Sequence, residues 1–410
     1  MSDGEPLPLS GVTVADFSWV LAGPRCTSWL GAMGARVIKI EGPKRPDQYR
    51  SVAVFEAGKA GIDGSGAFHP LNHTKLGCAI DFGHPKGLAL AKRIVAISDV
   101  VVENFSHGVM ERAGLGYEEL RQLKPDVIMV SSSAMGKSGP DKHHVAYGTL
   151  IHAFAGLNSV TGYEGESAGT VGGTFADPLT GTTMVLAVLA ALWRRRRILP
   201  RKDGQLIDLS MVEATMMQLP ELVMDYTANG RVAAPRGNDD GIAAPNDCYP
   251  CRGEHDWVAI SVRSQEEWEA FCGALGRPAW CADPRFADQQ SRFEHREALN
   301  RHVSEWTRTL TAAAATELLQ AAGVAAGPSY SAAQLYADPH YNARGLFVEV
   351  EHPVVGRKPV MGLPYRLAPG PGPRYWAAPT LGQHTDLVLR DILELDEAEI
   401  ASLREEGVVA

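Results

Sequence analysis

Between residues 11 and 133, five short runs of apolar and β-branched residues alternate with segments of helical length. Residues 11–18 (GVTVADFS) and 35–41 (ARVIKIE) flank a turn, WVLAGP, and a helical segment, RCTSWLGAMG. That is one βαβ unit of about 30 residues, the building block of parallel sheets. The alternation continues through 77–82 (GCAIDF), the helical HPKGLALAKRIVAIS with Pro85 near its start, and 99–105 (DVVVENF). It ends with the helical YEELRQLK and the strand-like 125–133 (PDVIMVSSS). Strands this apolar predict a parallel sheet covered by helices on both faces. Such sheets bind ligands beyond the carboxyl ends of their strands. A site is therefore expected in the loops after Ser18, Phe82, Phe105 and Ser133.

After residue 197 the texture changes. ILPRKDGQ reads as a polar turn, and LIDLSMVEATMMQLPELVMDYTANG as a strand leading into a long helix. The loop RVAAPRGNDDGIAAPN follows, then the strand DWVAISV and the helix SQEEWEAFCGALG, with Ser264 as its N-cap. Helices continue to about Gly323, which makes a second, smaller α+β domain, and LDEAEIASLREEGVV closes the chain as one more helix. Two domains also suit 410 residues, a length large for one core.

Composition narrows the function. A net charge of −9 argues against a general nucleic-acid binder. The opening MSDGEPLPLSG has neither the basic nor the apolar region of a signal peptide. The longest apolar run, 184–193, is too short to span a membrane. Six cysteines, only two of them closely spaced, fit a reducing cytoplasm. The first βα turn, SWVLAGPRC, lacks the G-x-G-x-x-G fingerprint and no Walker A sequence occurs, which disfavours a nicotinamide enzyme.

Few side chains stand out as chemical. Asp177 precedes Pro178 at the mouth of an apolar run that ends in Arg194–Arg197. Asp is a favoured N-cap and Pro a favoured first helical residue, so Asp177 reads as the cap of a buried helix. The pattern favours that cap and leaves a carboxylate nucleophile as the second reading, since backbone N–H groups at a helix start stabilise negative charge. Cys248 and Cys251 form a CxxC with no second pair for zinc, ahead of a strand rather than a helix, so their reading is structural. His143 and His144 sit side by side with Tyr147 on a loop after a strand, where adjacent histidines point apart and rarely chelate together. The basic run Arg194–Arg197 reads as a solvated helix end.

The opening PLSGVTVADFSWVLAGPRCTSWLGAMGARVIKIE resembles the start of the class III coenzyme A transferases. The similarity continues through DVVVENFSHGVMERAGLGYEEL, FADPLTG, GQLIDLSMVEA, ADPHYNARGLFVEVEHPVVG and LGQHTDLVLRDI, in order along nearly the whole chain. The resemblance implies a Rossmann-like parallel-sheet large domain, 1–200 with 344–410, and a small α+β domain, 225–335. Residues 201–224 and 336–343 become connectors in an interlocked homodimer. It also implies a reaction in which CoA passes from an acyl-CoA to a free carboxylic acid, with no metal, nicotinamide or flavin. Asp177, in DPLTG, takes the place of the family's catalytic aspartate.

The CoA contacts carried over are Leu21 and Ala22 after the first strand, and Ile80, Asp81 and Phe82 after the third. Asn104, Phe105 and Ser106 follow the next strand, with Arg112 as a phosphate contact and Tyr147 close to the thioester. Two positions depart from the family. Gly42 stands where members often carry a basic residue, and Val145 where they carry a lysine; Lys44, Arg45, Lys137 and Lys142 are the nearby cations that could compensate. RGNDDG (236–241) corresponds to a shorter form of the family's glycine-rich active-site loop.

Alpha-methylacyl-CoA racemase shares this fold and supplies the alternative reading. Racemisation needs an acid and a base flanking the alpha carbon. Tyr147 stands where the racemases carry a histidine, and DPLTG replaces their DFAGGG. A tyrosine is a poor base at neutral pH, so transfer is favoured, although His143, His144 and His152 lie nearby. A non-catalytic CoA-binding subunit of a hetero-oligomer is the third reading, and the retained Asp177 argues against it.

Overall fold

Six parallel strands run in the order β3-β2-β1-β4-β5-β6. They are β1 (Thr13–Asp16), β2 (Arg36–Glu41), β3 (Leu76–Ala79), β4 (Val100–Glu103), β5 (Ile128–Ser133) and β6 (Gln205–Ser210). The computed structural model describes residues 5–52, 61–167, 169–197 and 203–410. They fall into two compact units, within Met1–Asn158, Thr170–Val232 and His340–Ala410 for the first and within Ser159–Gly169 and Ala233–Pro339 for the second. The polar turn expected at 198–205 and the domain boundary near residue 200 lie partly outside the described residues.

The strand sequences alternate between two cores. Val14 pairs in register with Val37 and Val100, and Ala15 with Ile38 and Val101. Val14, Val37, Val100, Val102, Ile128 and Val130 pack on one face, with the helices Ala22–Ala32 and Ala176–Arg197. Ala15, Ile38, Val101 and Met129 pack on the other, with Pro85–Ala96 and the C-terminal helix Glu397–Glu405. Both faces of β1, β2, β4 and β5 are covered, so apolar side chains fill most of these strands rather than alternating with polar ones. The sixth strand, expected only as the lead into a helix, joins this same sheet beside β5.

The Ala176–Arg197 helix is 22 residues, longer than its apolar run and long enough to cross a membrane by length and composition. Here Met184, Val185, Val188 and Leu192 bury one of its faces in the sheet core. A Cβ at Gly181 would meet the Ala22 carbonyl at 2.6 Å, so glycine is what lets this helix lie against Ala22–Ala32. Arg195 departs from the solvated end expected of the arginine run. It is buried, donates to the Asp126 carbonyl at 2.8 Å and pairs with Asp99.

The long helix expected after β6 is two helices, Met211–Met216 and Pro220–Asn229. Pro220 has no N–H to donate back into a preceding turn, so the helix restarts there. In the second unit β7 (Asn246–Pro250), β8 (Trp257–Ser261) and β9 (Ala325–Pro328) form an antiparallel sheet. The helices Gln265–Ala274, Arg296–Thr307 and Ala312–Ala321 close its core on Trp268, Phe271, Leu299 and Leu319. Ser264 caps the first of these through the Glu267 N–H at 3.1 Å. The hairpin β10 (Phe347–His352) and β11 (Gly356–Met361) belongs to the first unit.

Candidate active site

All six strands of the parallel sheet send residues from beyond their carboxyl ends to one cavity of about 600 Å3. Trp19 and Val20 follow β1; Gly42, Arg45 and Gln48 follow β2; Asp81 and Phe82 follow β3. Asn104 and Phe105 follow β4, Ser133 ends β5, and Met211 follows β6. The strand order reverses between β1 and β4, and the loops after those two strands part there to leave a crevice.

Asn104 joins the two sides of that crevice. Its side chain accepts the Trp19 N–H at 2.8 Å and donates to the Trp19 carbonyl at 2.8 Å. Val20 has a φ of 68°, a conformation that a β-branched residue adopts only when its surroundings enforce it. The enforcing contact is Asp47, which accepts the Val20 N–H at 3.0 Å. Asp47 is in turn held by Lys39, whose Nζ reaches Asp47 at 3.0 Å and the Ser18 carbonyl at 2.8 Å.

These charges hold the backbone that follows β1 and lie wholly out of water. Lys39, Asp47, Asp16 and Lys75 are all fully buried, and Lys75 pairs with Asp16 at 3.0 Å. Burial alone would lower the Lys39 ammonium, but the carboxylates of Asp47, Asp16 and Glu41 outweigh it and raise its pKa. Burial brings Lys75 down to about 8, against the opposing pull of Asp16. No local pattern in the sequence predicts this network. Its trace there is single charges inside otherwise apolar strands, Asp16 in TVAD and Lys39 in RVIKIE.

Asp177 lines the same cavity. It is the second residue of its helix rather than the cap, since the helix begins at Ala176. The first N–H of that helix goes instead to His152, which accepts it at Nε2 at 3.0 Å. The Asp177 Oδ2 is buried and finds no hydrogen-bond partner among the described residues. Burial pushes the carboxyl up to about 6, against a smaller opposing contact with its own backbone N–H. At neutral pH the group is a largely ionised and poorly solvated carboxylate, a chemistry suited to nucleophilic attack.

Of the residues carried over from the resemblance, Asp81, Phe82, Asn104, Phe105, Ser106, Arg112, Tyr147 and Asp177 line the cavity. Leu21, Ala22 and Ile80 are not among its lining. Ala22 and Ile80 are fully buried core residues, and Leu21 precedes the Ala22–Ala32 helix. Among the four compensating cations, Arg45 lines the cavity, with its guanidinium 5.7 Å from the Trp19 ring. Lys137 is committed to Glu103 at 3.1 Å and Glu111 at 3.7 Å. The adjacent histidines part as expected. His144 lines the cavity, and His143 stands 4.8 Å from the His107 ring. All six cysteines are free thiols, Cys248 exposed on β7 and Cys251 buried. RGNDDG lies in the second unit, where Asp240 accepts the Ile242 and Ala243 N–H groups and pairs with Arg263.

A family model described as CoA-transferase family III matches residues 9–385. The chain belongs to this family. It is 33% identical over 409 residues to a succinyl-CoA–D-citramalate CoA-transferase of Chloroflexus aurantiacus, covering 100% of both chains. It is 31% identical over 419 residues to a formyl-CoA:oxalate CoA-transferase of Rhodopseudomonas palustris, covering 98% of this chain and 97% of that one. Among solved structures it superimposes on a CAIB/BAIF family protein from Brucella suis with a TM-score of 0.85 at 28% identity. That match covers 95% of this chain and 100% of the other. The α/β architecture with its six-stranded parallel sheet is therefore that of family III, and the chain is a CoA-transferase.

Proposed function

We propose that this family III enzyme moves CoA from an acyl-CoA donor to a free carboxylic acid through covalent intermediates on Asp177. The reading rests on one observation above the rest. The cavity at the strand-order reversal contains a carboxylate that is desolvated, unpartnered at Oδ2 and raised to about 6. The Asp177 carboxylate attacks the thioester carbonyl, the C–S bond breaks, and a mixed anhydride and CoA thiolate result. The thiolate then attacks the Asp177 carbonyl, forming an aspartyl-CoA thioester and releasing the donor acid. The acceptor carboxylate attacks that thioester and expels the thiolate, which attacks the acceptor's acyl carbonyl and restores Asp177. Each step exchanges one activated acyl bond for another, so no free energy is lost to hydrolysis while water stays out.

The CoA moiety lies along the crevice, with Asn104, Phe105 and Ser106 on one side and Asp81 and Phe82 on the other. Arg45 and Arg112 meet its phosphates, and Tyr147 stands near the thioester. The relatives' names make succinyl-CoA the first donor to try. The enzyme works in the cytoplasm as an interlocked homodimer, in which the apolar side chains exposed on Ala176–Arg197 and Pro220–Asn229 are covered by the second chain. Supporting this, Leu186, Trp193 and Met224 are 69%, 61% and 65% exposed in the single chain.

The test is to incubate purified protein with acyl-CoAs, succinyl-CoA first, and a panel of free acids, following new thioesters by mass spectrometry. Wild type is expected to exchange acyl groups and Asp177→Ala to exchange none while still binding CoA. Exchange by Asp177→Ala at the wild-type rate would refute the covalent role.

A further inference from the structure

The helix Gly148–Phe154 packs against the start of the Asp177 helix through two residues one turn apart. His152 is fully buried, and its Nε2 accepts the Ala176 N–H at 3.0 Å. Gly148, four residues earlier on the same face, sits against the carboxylate. A Cβ there would lie 2.8 Å from Asp177 Oδ2 and 3.1 Å from Thr174 Cγ2.

The first N–H groups of a helix have no acceptor within it, and a side chain at the N-cap ordinarily takes one. Phe175 precedes this helix and has no polar group to offer. Without His152, the nearest carboxylate able to turn back and cap the helix would be Asp177 itself. A capping carboxylate is drawn onto the backbone and away from the cavity. His152 takes the Ala176 N–H out of that competition, because its acceptor nitrogen already holds it, and Asp177 keeps only the contact with its own backbone N–H. Gly148 leaves the volume into which Oδ2 extends.

We propose that His152 is a positioning residue for the nucleophile: it caps the Asp177 helix from a neighbouring helix, so that Asp177, beside Gly148, is left free to face substrate. The proposal rests on the reading of Asp177 as nucleophile. His152 is not itself a base here. Accepting at Nε2 leaves the proton on Nδ1, and that nitrogen is buried without a partner among the described residues.

The variants His152→Leu, His152→Gln, Gly148→Ala and Asp177→Ala test this. Each is assayed for exchange of isotope-labelled succinate into succinyl-CoA, or for the acyl pair that the panel selects, and for CoA affinity by calorimetry. His152→Leu is expected to lose about tenfold to a hundredfold in kcat, the usual penalty for a displaced reacting group, with CoA affinity within about twofold of wild type. His152→Gln is expected to recover most of that loss, because its side-chain oxygen can accept the same N–H. Gly148→Ala is expected to lose kcat in the same selective way. If His152→Leu does not fold, the glutamine and Gly148 variants decide alone. Wild-type kcat in His152→Leu, an equal loss in His152→Gln, or a parallel loss of CoA affinity overturns the proposal. Activity in Asp177→Ala removes the nucleophile reading and this one with it. An inert Asp177→Ala beside a fully active His152→Leu leaves the nucleophile reading standing and refutes only the role of His152.

Discussion

Asn104 grips Trp19 at two points, its carbonyl oxygen on the Trp19 N–H and its amide on the Trp19 carbonyl, both at 2.8 Å. The two residues follow β1 and β4, so one side chain spans the place where the strand order reverses. Asn104→Ala leaves a partly buried N–H and carbonyl unpaired, a loss of about 1–3 kcal/mol. We expect a lower denaturant midpoint and a raised KM for acyl-CoA, because the loop that lines the cavity is no longer held. Unchanged values of both would show that the loop does not depend on this contact.

The pH dependence of Asp177 has a definite sign. Its carboxyl titrates at about 6 in the fold, above the ordinary 3.8, because burial disfavours the anion. The protonated form is the one that the fold favours. Its contribution is whole below about pH 4 and is lost as pH rises through about 6. Asp177→Asn does not titrate, so wild type should lose stability relative to it between pH 4 and 7, by on the order of 2 kcal/mol. In the same interval kcat/KM should rise as the nucleophile ionises. Chemical denaturation at several pH values and a pH–rate profile measure the two. A stability difference that stays constant across this range would mean that the carboxyl is not desolvated.

Arg45 and Arg112 line the same cavity as Asp177 but act, in the proposed function, on the phosphates of CoA rather than on the thioester. Removing either guanidinium should weaken CoA binding by about tenfold and leave kcat close to wild type. Equilibrium binding of CoA and saturation kinetics separate the effects. A fall in kcat without a change in affinity would move the arginine to the reacting end of the substrate.

Assembly is open to a direct measurement. Met217 and Met224 are 75% and 65% exposed on the segment that follows the parallel sheet, and Leu186 and Trp193 are exposed on the helix before it. Large apolar side chains as exposed as these fit surfaces that a partner covers. Sedimentation of dilute native protein should give twice the chain mass, and dissociation should coincide with unfolding. A folded species of one chain mass would exclude the interlocked dimer.

By itself the sequence determined the elements and the place of the site. Runs such as VVVE and IMVSSS specify buried parallel strands because each opens on consecutive apolar residues and turns polar only at its carboxyl end. Asp81, Asn104 and Phe105 came from the family resemblance rather than from the strand pattern, as did Asp177 through DPLTG, and all four line the cavity. The role of Asp177 at the helix start was not legible, because cap and free carboxylate share one local pattern. Only the fold decided that His152, twenty-four residues before Ala176 in the chain, takes the Ala176 N–H in its place. Nor did local pattern foretell that Lys39 and Asp47 would be buried together under the Ser18 and Val20 backbone, or that Pro220 would divide the connector. Periodicity is carried by neighbours in the chain, so it can be read along one dimension. The partner of a buried charge or of an unpaired N–H is chosen by which strands and helices meet in space, and that choice exists only once the sheet order has formed.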